Sequence, residues 1–309
     1  MPRFRLYRIS ICGNSDLGAG MRRLFFVLSA LVAGLAAPAW AQDSITLQAS
    51  APIIDAEINN RPVRLEVDLR FPRALALSTE AAQRLRVRRI PFANARIGIE
   101  GSNDTLAGRI ARPRVVFEGE EDERAFAAIF GVPVTRRADG LVGPGVLPYN
   151  TIIVRLGPDL PGARDISFPM ADADIWRVET QVGGETLQVM FDVTAAPTIF
   201  NRTASRLFDR PDGLVAVGDV VRLPLILGLE TMMQPVETDL TAVGLDLGAT
   251  YARTNAALIG ATEPDAIVSE TQARNPPPPN VTLGRDALAP CSSITVDRRA
   301  RRLTLRCVV

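Results

Sequence analysis

Two aspartates, Asp68 and Asp192, are the residues whose type and surroundings best suit them to chemistry. Each directly follows an apolar, strand-like stretch, which begins at Val63 in the first case and at Leu187 in the second. The sequence contains no histidine and no lysine. This excludes Ser-His-Asp and Cys-His catalytic sets, histidine zinc sites, lysine Schiff bases and phosphate loops that need a lysine. The acid–base chemistry that remains is that of carboxylates.

The surroundings of the two aspartates are duplicated. A turn ends eight residues before each of them, at Asn59–Asn60 and at Gly183–Gly184. Both residue types tolerate the positive φ that tight hairpins need. Beyond each aspartate, an apolar run leads to a residue that commonly starts a helix, Ser78 in one copy and Asn201 in the other. Each copy therefore predicts a hairpin, an aspartate, a strand and a short helix, and such a repeat indicates two related lobes.

A second repeated pattern closes each copy. Apolar residues precede a glycine at Leu141-Val142-Gly143 and, after Thr282, at Leu283-Gly284. A predicted strand follows each glycine, over residues 151–155 and residues 293–297. Long helical patterns are scarce, so the sequence predicts a mainly β fold.

Residues 21–41 have the pattern of a secretory signal peptide. A methionine and two arginines supply the basic start, residues 24–35 the apolar core, and Ala39-Trp40-Ala41 the cleavage site. A membrane anchor is the alternative, but the apolar stretch is short and no stop-transfer charges follow it. We therefore expect a periplasmic or secreted protein with no stable membrane span after cleavage. Residues 1–20 lie upstream of this segment.

Cys291 and Cys307 predict a disulfide near the end of the chain. They lie symmetrically about Arg299, in a stretch that predicts a hairpin, so the thiols would face each other across paired strands. In an oxidising compartment, the bond would stabilise the fold by about 3 kcal/mol. Two free thiols are the alternative.

Charge and composition bound the partners and the domains. The formal net charge is +1, which gives no electrostatic reason to expect a nucleic-acid partner. No cofactor or metal is expected. The stretch 158–173, with its prolines and glycine, predicts a linker between an N-terminal lobe, residues 42–157, and a C-terminal lobe, residues 174–309. We expect a monomer.

The combined pattern resembles one lobe of the aspartic proteases, and two such lobes in one chain resemble the bilobal, pepsin-like arrangement. In local sequence, the chain is more similar to bacterial, retropepsin-like aspartyl proteases. The resemblance covers residues 45–309 and implies two duplicated β-barrel lobes with a cleft between them. In that family, the two aspartates come from Asp-Thr/Ser-Gly triplets, share one proton and activate a water that attacks the peptide carbonyl. The resemblance thus implies a dyad of Asp68 and Asp192, buttressed by the two apolar-glycine segments.

Both triplets depart from the family pattern. They are Asp68-Leu69-Arg70 and Asp192-Val193-Thr194, so each lacks the hydroxyl at its second position and the glycine at its third. If Arg70 points inward, its cation favours an ion pair over a shared proton. If it points outward, its bulk still replaces a glycine at a crowded junction.

These departures lead to three hypotheses. The first is a catalytically degenerate protein that binds an extended peptide or protein segment in the cleft. The second is an active, acid-dependent endopeptidase that uses both aspartates. The third is a structural envelope protein, which predicts no usable cleft.

Overall fold

The computed structural model describes residues 43–98, 105–117, 123–195, 197–209, 213–253 and 278–309. These residues belong to one compact unit, residues 41–309. The expected signal peptide lies outside the described residues. No helix in the described ranges is long and apolar enough to cross a membrane.

The first half consists of short strands around one short helix. Its elements are β1 (Ser44–Gln48), β2 (Ile53–Ile58), β3 (Pro62–Val67), β4 (Leu75–Ser78), α1 (Thr79–Arg84), β5 (Arg89–Gly98), β6 (Thr105–Ala111), β7 (Arg114–Phe117), β8 (Glu123–Arg124), β9 (Ala127–Phe130), β10 (Gly140–Val142), a 3-10 turn (Pro144–Val146) and β11 (Thr151–Arg155).

The second half repeats this mixture. Its elements are β12 (Arg164–Pro169), β13 (Arg177–Val182), β14 (Glu185–Phe191), β15 (Ile199–Phe200), α2 (Arg202–Leu207), β16 (Val215–Ala216), β17 (Val221–Ile226), β18 (Leu229–Ala242), β19 (Leu245–Arg253), β20 (Asn280–Leu283), β21 (Cys291–Asp297) and β22 (Arg302–Cys307). The expected linker, residues 158–173, therefore contains a strand, β12.

The two halves share one strand order, which confirms the duplication. The first half contains the path β5-β6-β9-β4-β10-β3-β2, extended by β7 and β8, and the second contains β17-β18-β19-β15-β20-β14-β13, with β16 also paired to β18. The strand directions match at every step. In both halves the third and fourth strands of the path are parallel, as are the fifth and sixth, and the other pairs are antiparallel.

A third sheet joins the halves, in the order β1-β11-β21-β22-β12. The two predicted closing strands, β11 and β21, are direct antiparallel neighbours in it, with Ile152 opposite Val296 and Val154 opposite Ile294. All four of these side chains are buried. Burying each aliphatic side chain contributes about 1.5–3 kcal/mol, so this sheet holds the lobes together through its apolar face.

The lobes are open sheets rather than the closed β-barrels that the resemblance implied. A barrel requires the outermost strands of a sheet to pair with each other. In the described residues, β5 and β8 end one path, and β13 ends the other without a bond to β16 or β17. The duplicated, mainly β, two-lobed class is confirmed, and barrel closure is wrong.

The local signals that revealed the repeat have the expected geometry. Asn59 and Asn60 have φ of 52° and 60°, and Gly183 and Gly184 have φ of 58° and 84°. The Ser78 hydroxyl accepts a hydrogen bond from the third residue after it at 3.0 Å, which caps α1. The Asn201 side chain caps α2 in the same way, at 2.8 Å. The backbone therefore forms both hairpins and both helix starts without strain.

The expected disulfide is confirmed. Cys291 and Cys307 face each other across β21 and β22, with their Cα atoms 3.9 Å apart, and they are bonded. The bond closes a loop with a sequence separation of 16 residues, for which chain entropy gives a stabilisation of about 3 kcal/mol.

Gly143 lies where the chain leaves β10 and packs directly against the backbone of Phe71. A Cβ added at this glycine would lie 1.3 Å from the Phe71 carbonyl oxygen and 2.5 Å from its carbonyl carbon. Backbone atoms cannot move aside as the end of a flexible side chain could. The loop that follows Asp68 therefore packs at Phe71 against Gly143, a position that accepts only glycine.

We predict that Gly143→Ala lowers the free energy of unfolding by about 3 kcal/mol or more, because overpacking against a fixed backbone is strongly destabilising. Chemical denaturation monitored by circular dichroism measures the change. Gly157→Ala is the matched control, since nothing lies within 4 Å of its added Cβ. Equal stability of the two variants would contradict the close packing at Gly143.

Candidate functional site

Two equivalent loops bring the aspartates to the site. Asp68 follows β3 and Asp192 follows β14, and each aspartate donates its backbone N–H to the last residue of the neighbouring parallel strand. The acceptors are the carbonyl oxygens of Val142, at 3.0 Å, and Leu283, at 2.9 Å. These are residues of the two predicted buttress segments. In both lobes, the aspartate backbone is therefore hydrogen-bonded to the segment that the resemblance implied as its buttress.

The glycines of the buttress segments complete this support. Gly143 donates its N–H to the Ala74 carbonyl oxygen at 2.9 Å. Gly284 donates to the Thr198 hydroxyl at 3.0 Å. Leu141 and Leu283 are buried beside these contacts. The loops are thus fixed by hydrogen bonds on one side and apolar packing on the other.

Arg70 points inward and forms a fork on Asp68. Its Nε lies 2.9 Å from Oδ1 and its Nη2 lies 2.7 Å from Oδ2. The Arg70 backbone N–H also donates to Oδ1, at 3.0 Å. Paired N–H···O bonds of this kind are among the strongest side-chain contacts in proteins. Of the two predicted orientations of Arg70, the structure therefore shows the inward one.

The same guanidinium reaches the aspartate of the other lobe. Its Nη1 lies 3.0 Å from Oδ2 of Asp192. Asp68 and Asp192 are 4% and 5% exposed, and the Arg70 side chain is 24% exposed, so solvent screens these charges poorly. Burial by itself lowers the pKa of Arg70, but the carboxylates, Asp68 foremost, outweigh burial and raise that pKa above its ordinary value. The cation is thus permanent at any working pH.

The second oxygen of Asp192 is held by its own loop. Its Oδ1 accepts hydrogen bonds from the Thr194 backbone N–H at 2.9 Å, the Thr194 hydroxyl at 2.7 Å and the Ala195 backbone N–H at 2.9 Å. Thr194 therefore supplies a hydroxyl to the aspartate from one position later than the family triplet does. Asp192 has donors on both oxygens.

This arrangement is a two-lobe ion bridge, formed by Arg70, Asp68 and Asp192. An aspartic-protease dyad balances two like charges by sharing one proton. Here a guanidinium balances them by donating to both. The interaction supplies charge compensation without a transferable proton, because arginine does not give up its proton in proteins.

A cleft of about 300 Å³ opens beside the bridge, with walls from both lobes. Arg70, Val134 and Leu141 line it from the first lobe, and Thr194 and Leu227 from the second. The size is that of a small ligand pocket. The chain therefore has an open cavity beside the ion bridge, at the place where the structural hypothesis predicted no usable cleft.

Leu227 is the residue by which the second lobe narrows this cleft. It lies at the turn between β17 and β18 with φ of 52°, and it is buried in an apolar cluster whose other members, Phe130 and Val134 among them, come from the first lobe. The tip of the β17–β18 hairpin thus packs across the cleft. Apart from Gly228, which tolerates the positive φ of a tight turn, no feature of the sequence indicated this contact.

A groove of about 520 Å³ continues from the cleft along α1. The two share Val134 and Thr135, and the groove is further lined by residues of α1 and of the segment 131–139.

A buried glutamate, Glu66, was missed by the sequence analysis. It lies on β3, lines the cleft, and accepts a short hydrogen bond from the Thr135 hydroxyl. The Arg137 guanidinium lies 3.8 Å from the same carboxylate. Glu66 lies two positions before Asp68 and alternates with apolar residues along β3 as the exposed Arg64 does, so the sequence offered no signal that its side chain would be buried.

Most of the predicted site residues come together. Those that meet at or behind the bridge are Asp68, Asp192, Leu141, Val142, Gly143, Leu283 and Gly284. Cys291 and Cys307 do not line the cleft and belong to the sheet that joins the halves. Among the described residues, no three histidine, cysteine, aspartate or glutamate side chains form a group that could hold a metal ion.

Comparisons with known proteins add a fold likeness. No family model matches the sequence, and no curated protein matches it. A solved structure to which the chain is similar is an aspartic proteinase from Irpex lacteus, at 12% identity and a TM-score of 0.43, over 84% of this chain and 95% of that chain. Values at that level assign no function. The two-lobed organisation therefore rests on the matching strand order of the two halves, and it is consistent with an aspartic-protease-like fold.

We predict that Arg70→Met lowers the free energy of unfolding at neutral pH by about 3–5 kcal/mol, because it leaves two buried carboxylates without their cation.

Chemical denaturation at neutral pH, monitored by circular dichroism, measures the change. Arg73→Met is the matched control, because Arg73 also contacts two aspartates, Asp172 and Asp174, but is exposed. That change should have little effect on the free energy of unfolding. Equal free energies of unfolding for the Arg70 and Arg73 variants would contradict the bridge.

Proposed function

We propose that this chain binds an extended peptide or protein segment in the cleft between its lobes and does not hydrolyse it. The observation that carries the proposal is the contact of Arg70 with both Asp68 and Asp192.

We further propose that the chain is a bacterial, retropepsin-like member of the aspartic-protease group that has lost catalysis. The sequence resemblance supports that placement.

The ion bridge removes what hydrolysis needs. In an aspartic dyad, one carboxylate accepts a proton from water while the other donates a proton to the substrate. Arg70 donates to Oδ2 of both aspartates, and Thr194 and Ala195 occupy the remaining oxygen of Asp192. Neither carboxylate is arranged to hold the shared proton or to contact a water between them.

The walls of the cleft retain features suited to a peptide. The apolar side chains of Val134, Leu141 and Leu227 offer a surface for an aliphatic side chain. Thr135 and the arginines 136 and 137 lie beside them and offer polar contacts to a main chain. An extended ligand supplies both kinds of group at regular spacing, as in other modes of peptide recognition.

An active endopeptidase is the second candidate. It is favoured by the backbone support of the aspartates, since both N–H groups donate to equivalent buttress carbonyls. Under this alternative, a ligand would have to displace Arg70 from at least one carboxylate before catalysis. The cost of breaking a buried, bidentate ion pair weighs against it.

We also propose that the protein is exported. The signal-like segment at residues 21–41 supports export, and so does the disulfide, because such bonds persist mainly in oxidising compartments. The localisation of a fusion that carries residues 1–41 tests this proposal.

We predict that residues 42–309 do not cleave a quenched peptide library at any pH from acid to neutral, because no shared proton is available. Asp192→Asn is run alongside, and thermal unfolding confirms that both samples are folded. Cleavage by the wild type that disappears in Asp192→Asn would overturn the degenerate assignment and establish the endopeptidase.

We predict that peptides selected by display on the same protein lose affinity by about tenfold or more in Ala195→Trp, because the indole fills the cleft from the second lobe. Ala300→Trp, at an exposed turn, is the control and should bind normally. Isothermal titration gives the affinities. Failure to select any peptide, or equal binding by both variants, would count against the cleft as the binding site.

A further inference from the structure

β5 contains a wide bulge at one edge of the first-lobe sheet. Arg89 is paired with Ala111 and Asn94 with Arg109, so five steps along β5 match two steps along β6. Residues 90–93 therefore project from the ladder. β5 ends its sheet path, so the bulge lies at an edge rather than between strands.

The bulge presents Phe92 to solvent in an unfavourable backbone conformation. The residue is 97% exposed and has φ of 63°. A bulky residue seldom adopts this region, which glycine or asparagine occupies more readily. Ile90, two residues earlier, is 37% exposed. Neither the backbone geometry nor packing explains a phenylalanine here, and retained strain at a surface position motivates a functional hypothesis.

The sequence on both sides of the bulge is rich in arginine. The stretch from residue 81 to residue 98 contains five arginines and no acidic residue. Arg84 is paired with Asp139. The other four are exposed and form no ion pair with another described residue; they are Arg86, Arg88, Arg89 and Arg96. We call these four arginines, with Ile90 and Phe92, the bulge patch.

We infer that the bulge patch binds an anionic lipid surface. Phe92 and Ile90 would enter the boundary between headgroups and acyl chains, and the arginines would contact the lipid phosphates. Arg88 and Arg89 precede Phe92 by four and three residues, so their Cα atoms lie within about 14 Å of the Phe92 Cα atom. At that distance, the two arginines can contact phosphates while Phe92 is inserted. The inference is independent of what the cleft binds.

A bilayer fits this patch better than a nucleic acid does. The bulge residues 90–93 are Ile, Pro, Phe and Ala, which offer no side-chain hydrogen bonds to base edges. The chain as a whole is nearly neutral, whereas domains that track a phosphate backbone typically carry a clear excess of basic residues. An anionic membrane presents an apolar phase and negative charge within one small contact area.

Co-sedimentation with vesicles tests the inference, with residues 42–309 as the protein, so that the apolar segment before Gln42 cannot contribute. Vesicles of equal parts phosphatidylglycerol and phosphatidylcholine should carry the protein down, and vesicles of phosphatidylcholine alone should not. Added salt should weaken binding. No binding to the anionic vesicles, or equal binding to both kinds, would overturn the inference.

Variants locate the contact. Phe92→Ser should weaken binding by about tenfold or more, because an apolar anchor is lost. The double change Arg88→Gln and Arg89→Gln should weaken it by about 25-fold, since each arginine near an anionic surface contributes about fivefold. Val215→Ser, at another exposed apolar residue, and Arg301→Gln with Arg302→Gln, at two exposed arginines where β22 begins, are the matched controls.

The controls should bind within about twofold of the wild type. If they weaken binding as much as the patch variants do, the contact is a general effect of charge or hydrophobicity and the inference is wrong. Tight binding to heparin or single-stranded DNA without binding to anionic vesicles would also overturn it. As an independent measurement, Phe92→Trp should give a blue-shifted fluorescence on addition of anionic vesicles, and an unchanged spectrum would contradict insertion.

Discussion

The contact of one guanidinium with two aspartates is the interaction on which the rest of the site depends. A duplicated fold delivers a buried carboxylate from each lobe to the same point, and two such charges repel each other strongly in a poorly screened environment. A shared proton is one solution, and it is the one that permits catalysis. Arg70 is another solution, since it neutralises much of the repulsion and links the lobes at the same time. Under the proposed function, the guanidinium takes the place of the shared proton that hydrolysis would use.

Local features of the fold could be predicted from the sequence because they depend on a few neighbouring residues. The Asn59–Asn60 turn, the Ser78 cap and the two buttress glycines each follow from conformational or hydrogen-bonding preferences of single residues. Their recurrence in the same order revealed the duplication. Features that depend on long-range contacts could not be predicted from neighbouring residues. Leu227 packs with the first-lobe residues Phe130 and Val134, which lie more than ninety positions earlier. Barrel closure likewise depends on whether strands at distant sheet edges pair with each other.

Arg70 shows where sequence reasoning reached its limit. The loss of a glycine was evident, but the orientation of its replacement was not, because the inward and outward alternatives differ only in contacts across the two lobes. The structure also shows why the loop tolerates this change. Arg70 and Thr194 are not in the left-handed region, and each donates its backbone N–H to the aspartate two residues earlier. The nearby position that does require glycine is Gly143, which packs against the backbone of Phe71.

Under the proposed function, the absence of catalysis does not rest on Arg70 alone. Removing the guanidinium would free the two carboxylates, but Leu69 and Val193 would still stand where the family has hydroxyls that brace them. Thr194 would continue to hold one oxygen of Asp192 from a different position. Several changes would thus be needed before a water could be held between the aspartates in a reactive geometry. The proposal of binding without hydrolysis agrees with this architecture, because the most polar point of the cleft is already saturated by the protein's own groups.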